Sequence, residues 1–197
     1  MLIKRNQIWL LIVNAIYLLV ALIYYSSRKN YEFIMYVGIV ILLFGIILAT
    51  NRKINYPNIV LIGLTLWGMM HMLGGVKIGN SVVYAKMLIN FIGEPYYILK
   101  YDQFVHLFGF GVATLAMFVL MKPFIKFPIE KWTSISILIV MAGFGVGALN
   151  EMIEFIATIL VPETGVGGFI NTSLDLVADF IGAVLAMIYI RIRRGEI

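Results

Sequence analysis

The residues whose types and spacing can do chemistry stand in four short groups. Asp102 and His106 are four apart in YDQFVHLFGFG, and Glu151 and Glu154 are three apart in NEMIEF. Asn171, Asp175 and Asp179 recur every four residues, and His71 stands in WGMMHMLGG. Spacings of three and four put each set on one face of a helix. Both histidines of the chain and five of its ten acidic residues fall in these groups, and there is no cysteine. Any ligand offered is therefore nitrogen or oxygen, a donor set that suits Zn, Mn, Fe or Mg. Crowded carboxylates repel one another unless some are protonated or a cation lies among them, which is the physical case for one or two divalent ions.

What positions these residues follows from composition. The 197-residue chain is 62% hydrophobic and only 13% charged, with a mean hydropathy of +0.98. Those values belong to a bilayer protein, not a soluble domain. Six apolar runs are long enough to be read as spans: 8–25, 33–50, 58–76, 102–121, 132–161 and 172–190. The expected fold is all-α, a polytopic bundle of about six transmembrane helices forming one domain over residues 1–197. The first span, after Lys4 and Arg5, is read as a retained helix because no small-x-small cleavage pattern follows it. Residues 81–92 are apolar but too short to span, and are read as a short interfacial helix between helices 3 and 4, an anchor or a lid admitting lipid. The net charge of +5 does not indicate nucleic acid, because Lys and Arg sit in clusters flanking the apolar runs.

Those clusters also orient the chain. The N-terminus, the loops at 51–57 and 122–131 and the C-terminal tail hold ten of the fifteen Lys and Arg residues. By the positive-inside tendency both termini are cytoplasmic, in a multi-pass protein of the cell (cytoplasmic) membrane. On that topology His71, Asp102, His106, Glu151, Glu154, Asp175 and Asp179 share a slab from the outer interface to about 15 Å deep, at ~1.5 Å per residue. A carboxylate near the centre of a membrane helix costs about 2.5–3.5 kcal/mol, so several should face one another, water or a cation. Spans three to six are expected to converge there, with Gly74 and Gly75, Gly109 and Gly111, Gly143, Gly145, Gly147 and Ala148, and Gly182 with Ala183 as small residues that permit close approach. Spans one and two are read as packing without buried charge. GFGVG at 143–147 is packing too, because no strand precedes it as a phosphate loop requires.

The segments YDQFVHLFGFG, NEMIEF and LDLVADFIGA together resemble the YjdF-type integral-membrane family and, more distantly, VanZ-like proteins. The likeness covers about residues 65–190 and places Tyr101, Asp102, His106, Glu151, Glu154, Asp175, Asp179 and Gly182 at motif positions, with His71 and Gly74 at an earlier His-Gly segment. It implies an inner-membrane protein and a site, not a reaction. Where many members carry a longer Gly-Asp-rich loop with Thr-Gln, this chain has PETGVGGFINTS, a departure that puts the identity of any substrate in doubt.

The leading expectation is a metal-dependent membrane enzyme, a hydrolase or transferase acting on a lipid or lipid-linked substrate in the outer half of the bilayer. His71, Asp102, His106, Glu151, Glu154, Asp175 and Asp179 supply the ligands, and Glu151 or Asp175 acts as general base. Membrane lipids are the natural partners, and a homo-oligomer is open. Two histidines are few for a His-rich di-iron desaturase, and no Ser-His-acid order supports a serine nucleophile. The alternatives are a proton- or divalent-cation-coupled transporter and a non-catalytic structural membrane protein, since lone intramembrane acids also serve as hydrogen bonders. Asn150 and Asn171 are read as structural, Asn171 as an N-cap of span six.

Overall fold

The computed structural model describes residues 4–193 and 197; residues 1–3 and 194–196, parts of the two termini read as cytoplasmic, lie outside them. All six apolar runs form helices: α1 (Ile8–Ser27), α2 (Tyr31–Ile54), α3 (Asn58–Gly74), α4 (Tyr101–Met121), α5 (Trp132–Leu160) and α6 (Phe169–Ile192). Hydrocarbon offers no water to backbone amides, so a spanning segment must satisfy them internally, as a helix does. Five of the six are long and apolar enough to cross a bilayer, and α3 is a shorter apolar helix of 17 residues. At 1.5 Å per residue α3 extends about 25 Å, somewhat less than a typical hydrocarbon core.

Two compact units are distinguished within the chain: Met1–Val83 with Ile153–Val166, and Tyr84–Met152 with Gly167–Ile197. In the first, α1, α2 and α3 are joined by neutral polar contacts. Asn14 on α1 donates to the Thr65 hydroxyl on α3 at 2.8 Å and to its own Leu10 carbonyl at 2.8 Å. At one end Gln7 donates to Asn58 and to the Tyr56 carbonyl, while Asn51 donates to Gln7 and accepts from the Tyr56 amide. Asn55 closes α2 in the left-handed conformation (φ 58°), which Asn tolerates, and Pro57 leads into α3. At the other end of α2, Asn30 caps the helix by accepting from the Phe33 amide at 3.1 Å, and Phe33 stacks on Tyr25 of α1.

Glu32, in the first turn of α2, is buried, which corrects the expectation that spans one and two bury no charge. Its carboxylate accepts the Gly165 amide at 2.7 Å and the Tyr36 hydroxyl at 3.3 Å. It lies one residue before the run read as span two, 33–50, at a helix N-terminus where a negative charge is favoured.

The connection between α3 and α4 is not the expected interfacial helix. Strands β1 (Lys77–Ile78) and β2 (Ser81–Val82) pair antiparallel, and β3 (Met87–Ile92) pairs antiparallel with β4 (Ile98–Lys100). Gly79 (φ 65°) makes the tight first turn, where a positive φ suits glycine. Val82, Val83, Ile89, Phe91 and Ile92 are β-branched or aromatic, so the apolar run favours strand, and hydropathy alone does not separate the two in so short a stretch.

In the second unit β4 runs directly into α4. Gln103 fixes that junction, its side-chain oxygen accepting the Leu99 amide at 2.6 Å and the Lys100 amide at 3.1 Å. Leu99 is held there at φ 75°, a region a branched side chain rarely adopts, three residues before Asp102.

Candidate metal centre

Helices α4 and α6 form the most extensive helix pair of the described residues. Glycine makes the approach backbone-close: a methyl on Gly182 would run into the Leu107 carbonyl oxygen and lie 3.0 Å from the Gly111 nitrogen, and one on Gly111 would lie 3.2 Å from the Gly182 carbonyl oxygen. Contacts rise in number together along both helices, from Asp102 with Asn171, through His106 with Asp179, to Gly111 with Gly182. The two helices therefore run parallel. Within the same unit α5 runs the other way against them, with Gly143 against Thr114, Gly147 against Asp179 and Glu151 against His106. Glycine at 147 leaves the space the Asp179 carboxylate fills.

His106 is the hub of the cluster. Its Nδ1 lies 2.9 Å from Asp179 Oδ1 and 3.6 Å from Glu151 Oε1, while its Nε2 lies 3.9 Å from Asp102 Oδ1. Asn171 donates from one amide nitrogen to Asp102 Oδ2 at 3.1 Å and to Asp175 Oδ2. His106, Glu151, Asp175 and Asp179 are buried, whereas the Asp102 side chain keeps 17% of its surface accessible. Both oxygens of Glu151 are buried without a well-formed hydrogen bond, with the Thr172 hydroxyl the side-chain donor beside them, and Asp179 Oδ2 is buried without a donor among the described residues. Such oxygens are costly unless a proton or cation meets them.

Two groups of ligand atoms result, each with all its atoms within 4.8 Å of one another: Asp102, His106 and Asp175, and His106, Glu151 and Asp179. Five of the seven expected ligands are thus brought together by α4, α5 and α6. His71 and Glu154 are in neither group and belong to the other compact unit. His71 is buried in an aromatic setting, stacked on Trp67 one turn earlier at 5.4 Å and 18°, with Tyr36 at 5.4 Å. Glu154 is half-buried on α5. Neighbouring i, i+3 positions put Glu154 on roughly the face of Glu151, but spacing does not say where along that face the partner helices stop.

Asn171 is a site residue that the sequence reading set aside. The N-cap of α6 is Gly168, three positions earlier, so Asn171 lies inside the first turn and its amide bridges two carboxylates. The i, i+4, i+8 stripe with Asp175 and Asp179 was the signal for it.

These features define a class: a multi-pass helical membrane protein with an acid-histidine cluster buried among three of its helices. The chain belongs to the family described as Predicted membrane protein (DUF2238), whose model matches residues 7–196, and which is the YjdF-like family. No curated protein and no solved structure matches it.

Proposed function

We propose that the chain is a metal-dependent membrane enzyme of hydrolase or transferase type, acting on a lipid or lipid-linked substrate. One observation carries the reading: four carboxylates surround a single imidazole, and both oxygens of Glu151 and Oδ2 of Asp179 are buried without a well-formed hydrogen bond among the described residues. Two like charges ~4 Å apart repel by about 4 kcal/mol at an effective dielectric of 20, and a divalent cation converts that repulsion into attraction. A bound ion would activate water or polarise an ester or phosphoryl oxygen, with an uncoordinated carboxylate as base. The topology proposed with it has both termini cytoplasmic in the cell membrane and the cluster in the outer half of the bilayer. That placement is supported by the excess of Lys and Arg on the terminal side.

A transport role is less well supported. Beyond His106, the remainder of α4 has Thr114 as its one polar side chain, and its hydroxyl donates to the Phe110 carbonyl at 2.7 Å. Beyond Asp179, α6 carries no acid, amide or histidine before Arg191. A relay would continue through those halves.

The test is metal content by inductively coupled plasma mass spectrometry on detergent-purified chain, beside an Asp102→Ala, His106→Ala double variant. Stoichiometric metal in the wild type and its loss in the variant are expected. A folded wild type that takes up no Zn, Mn, Fe or Mg overturns the proposal.

A further inference from the structure

Resting on that reading, we infer that the cluster holds one divalent ion on the Nε2 side of His106, bound by Asp102, His106 and Asp175 where the Asn171 amide bridges them, with Asp179 orienting the histidine and Glu151 off the ion.

The two ring nitrogens of histidine are not equivalent, because a neutral imidazole has one N–H and one lone pair. Nδ1 is at hydrogen-bond distance from Asp179 Oδ1, 2.9 Å. That network assigns the proton to Nδ1, donated to Asp179, and leaves the lone pair on Nε2. Metal-bound histidines commonly take this form, the second nitrogen donating to a carboxylate that fixes ring orientation and raises ligand basicity. Nε2 faces Asp102, and Asp102, His106 and Asp175 offer three ligand atoms within 4.8 Å of one another. An ion with bonds of about 2.0–2.2 Å separates its ligands by roughly 3–4.4 Å, so small side-chain movements close the group around it.

Asn171 bears on the same position. Its amide nitrogen carries two hydrogens, and the two carboxylates it serves are Asp102 and Asp175. The donor thus stands between the two acids of the Nε2 group and offsets part of their charge. Turning the amide about its last torsion exchanges that nitrogen for an oxygen and offers the ion a further ligand. Access agrees: Asp102 is the member with surface still exposed, whereas His106, Glu151 and Asp179, the other group, are all buried. Glu151, 8% exposed with both oxygens lacking a well-formed bond, then lies across the ring from the ion. Of the two acids that the sequence offered as general base, this geometry makes Asp175 a ligand and leaves Glu151 for the base.

The experiment titrates Zn2+ alone into chelator-stripped, detergent-purified full-length chain by isothermal calorimetry, with bound metal counted afterwards by mass spectrometry. Isosteric variants Asp175→Asn and Glu151→Gln are compared with Asp179→Asn and Asn171→Ala, each checked for a monodisperse, helical protein. Expected are one Zn2+ per chain, a loss of more than about 100-fold in affinity for Asp175→Asn, about 10- to 100-fold for Asp179→Asn, and less than about 3-fold for Glu151→Gln. Asn171→Ala is expected to weaken binding by about 10-fold, and it reads the same position if Asp175→Asn does not fold. Two Zn2+ per chain, or a loss for Glu151→Gln matching that for Asp175→Asn, overturns the single Nε2 position while leaving a metal site intact. Absence of binding in the wild type overturns the metal reading itself.

Discussion

The two compact units treat buried polarity in opposite ways. In the first, Gln7, Asn14, Asn51 and Thr65 are neutral and closed into short networks within and between helices, and the carboxylate of the buried acid Glu32 is met by the Gly165 amide and the Tyr36 hydroxyl. What they leave without a partner is one oxygen of Asn14 and, nearby in sequence, the hydroxyl of Tyr17, both neutral. In the second, beside the hydrogen-bonded Gln103 and Thr114, the buried polar groups include acids around one histidine, and both oxygens of Glu151 and Oδ2 of Asp179 are buried without a well-formed hydrogen bond among the described residues. Neutral amides and hydroxyls that answer one another fix helix register at small cost. Acids in excess of their donors fix nothing by themselves and store repulsion that only a proton or cation relieves. The difference separates polar groups that answer one another from acids that outnumber their donors.

The contrast breaks most visibly through the Asp102→Ala, His106→Ala double variant. It should drop metal content to below about a tenth of wild type while leaving the helical spectrum intact, since losing ligands removes binding energy of several kcal/mol. Next in size is Gly182→Ala, which pushes a methyl onto the Leu107 carbonyl of α4 and should lower stability by about 1–3 kcal/mol in an unfolding titration. Asn14→Ala tests the first unit, with an expected loss of about 0.6–1.7 kcal/mol and unchanged metal content, in keeping with hydrogen bonds between membrane helices. The smallest effect has the opposite sign. In chelator-treated protein Glu151→Gln removes one charge from the repelling set and should raise stability by about 1 kcal/mol, read as about 2–4 °C in Tm. A fall in Tm there would mean that the Glu151 charge is a structural asset and would erase the distinction between the units.

Much of this was legible in the sequence because the bilayer imposes so few solutions. Hydropathy located all six helices, and the i, i+3 and i, i+4 spacings of Asp102, His106, Glu151, Asp175 and Asp179 located the cluster faces. Spacing fixes which residues share a face of one helix, but not how that helix is rotated and shifted against its neighbours. Hence His71 and Glu154, at the right depth by residue count, are absent from both ligand groups, while Asn171 proved to be a bridge. Glu32 escaped because an acid at a helix start reads the same whether it meets water or a buried amide such as that of Gly165. The two hairpins escaped because the mostly apolar stretch 81–92 is too short for its period to tell strand from helix. The Gly79-Asn80 pair and the stretch from Gly93 to Pro95, both turn-forming, were the local signals that could have given them.

The parallel pairing of α4 with α6 also sets the timetable of biogenesis. His106 and Asp179 are 73 residues apart in the chain. At a synthesis rate of about 5–20 residues per second, the ribosome makes the histidine roughly 4–15 s before its carboxylate partner. For that interval α4 carries Asp102 and His106 into the membrane without α6 beside it. Both residues sit in the first two turns of the helix, where headgroups and water can hold them until the last span arrives. A ribosome stalled anywhere before α6 would leave a nascent chain with an exposed half-site, a feature that membrane quality control could read.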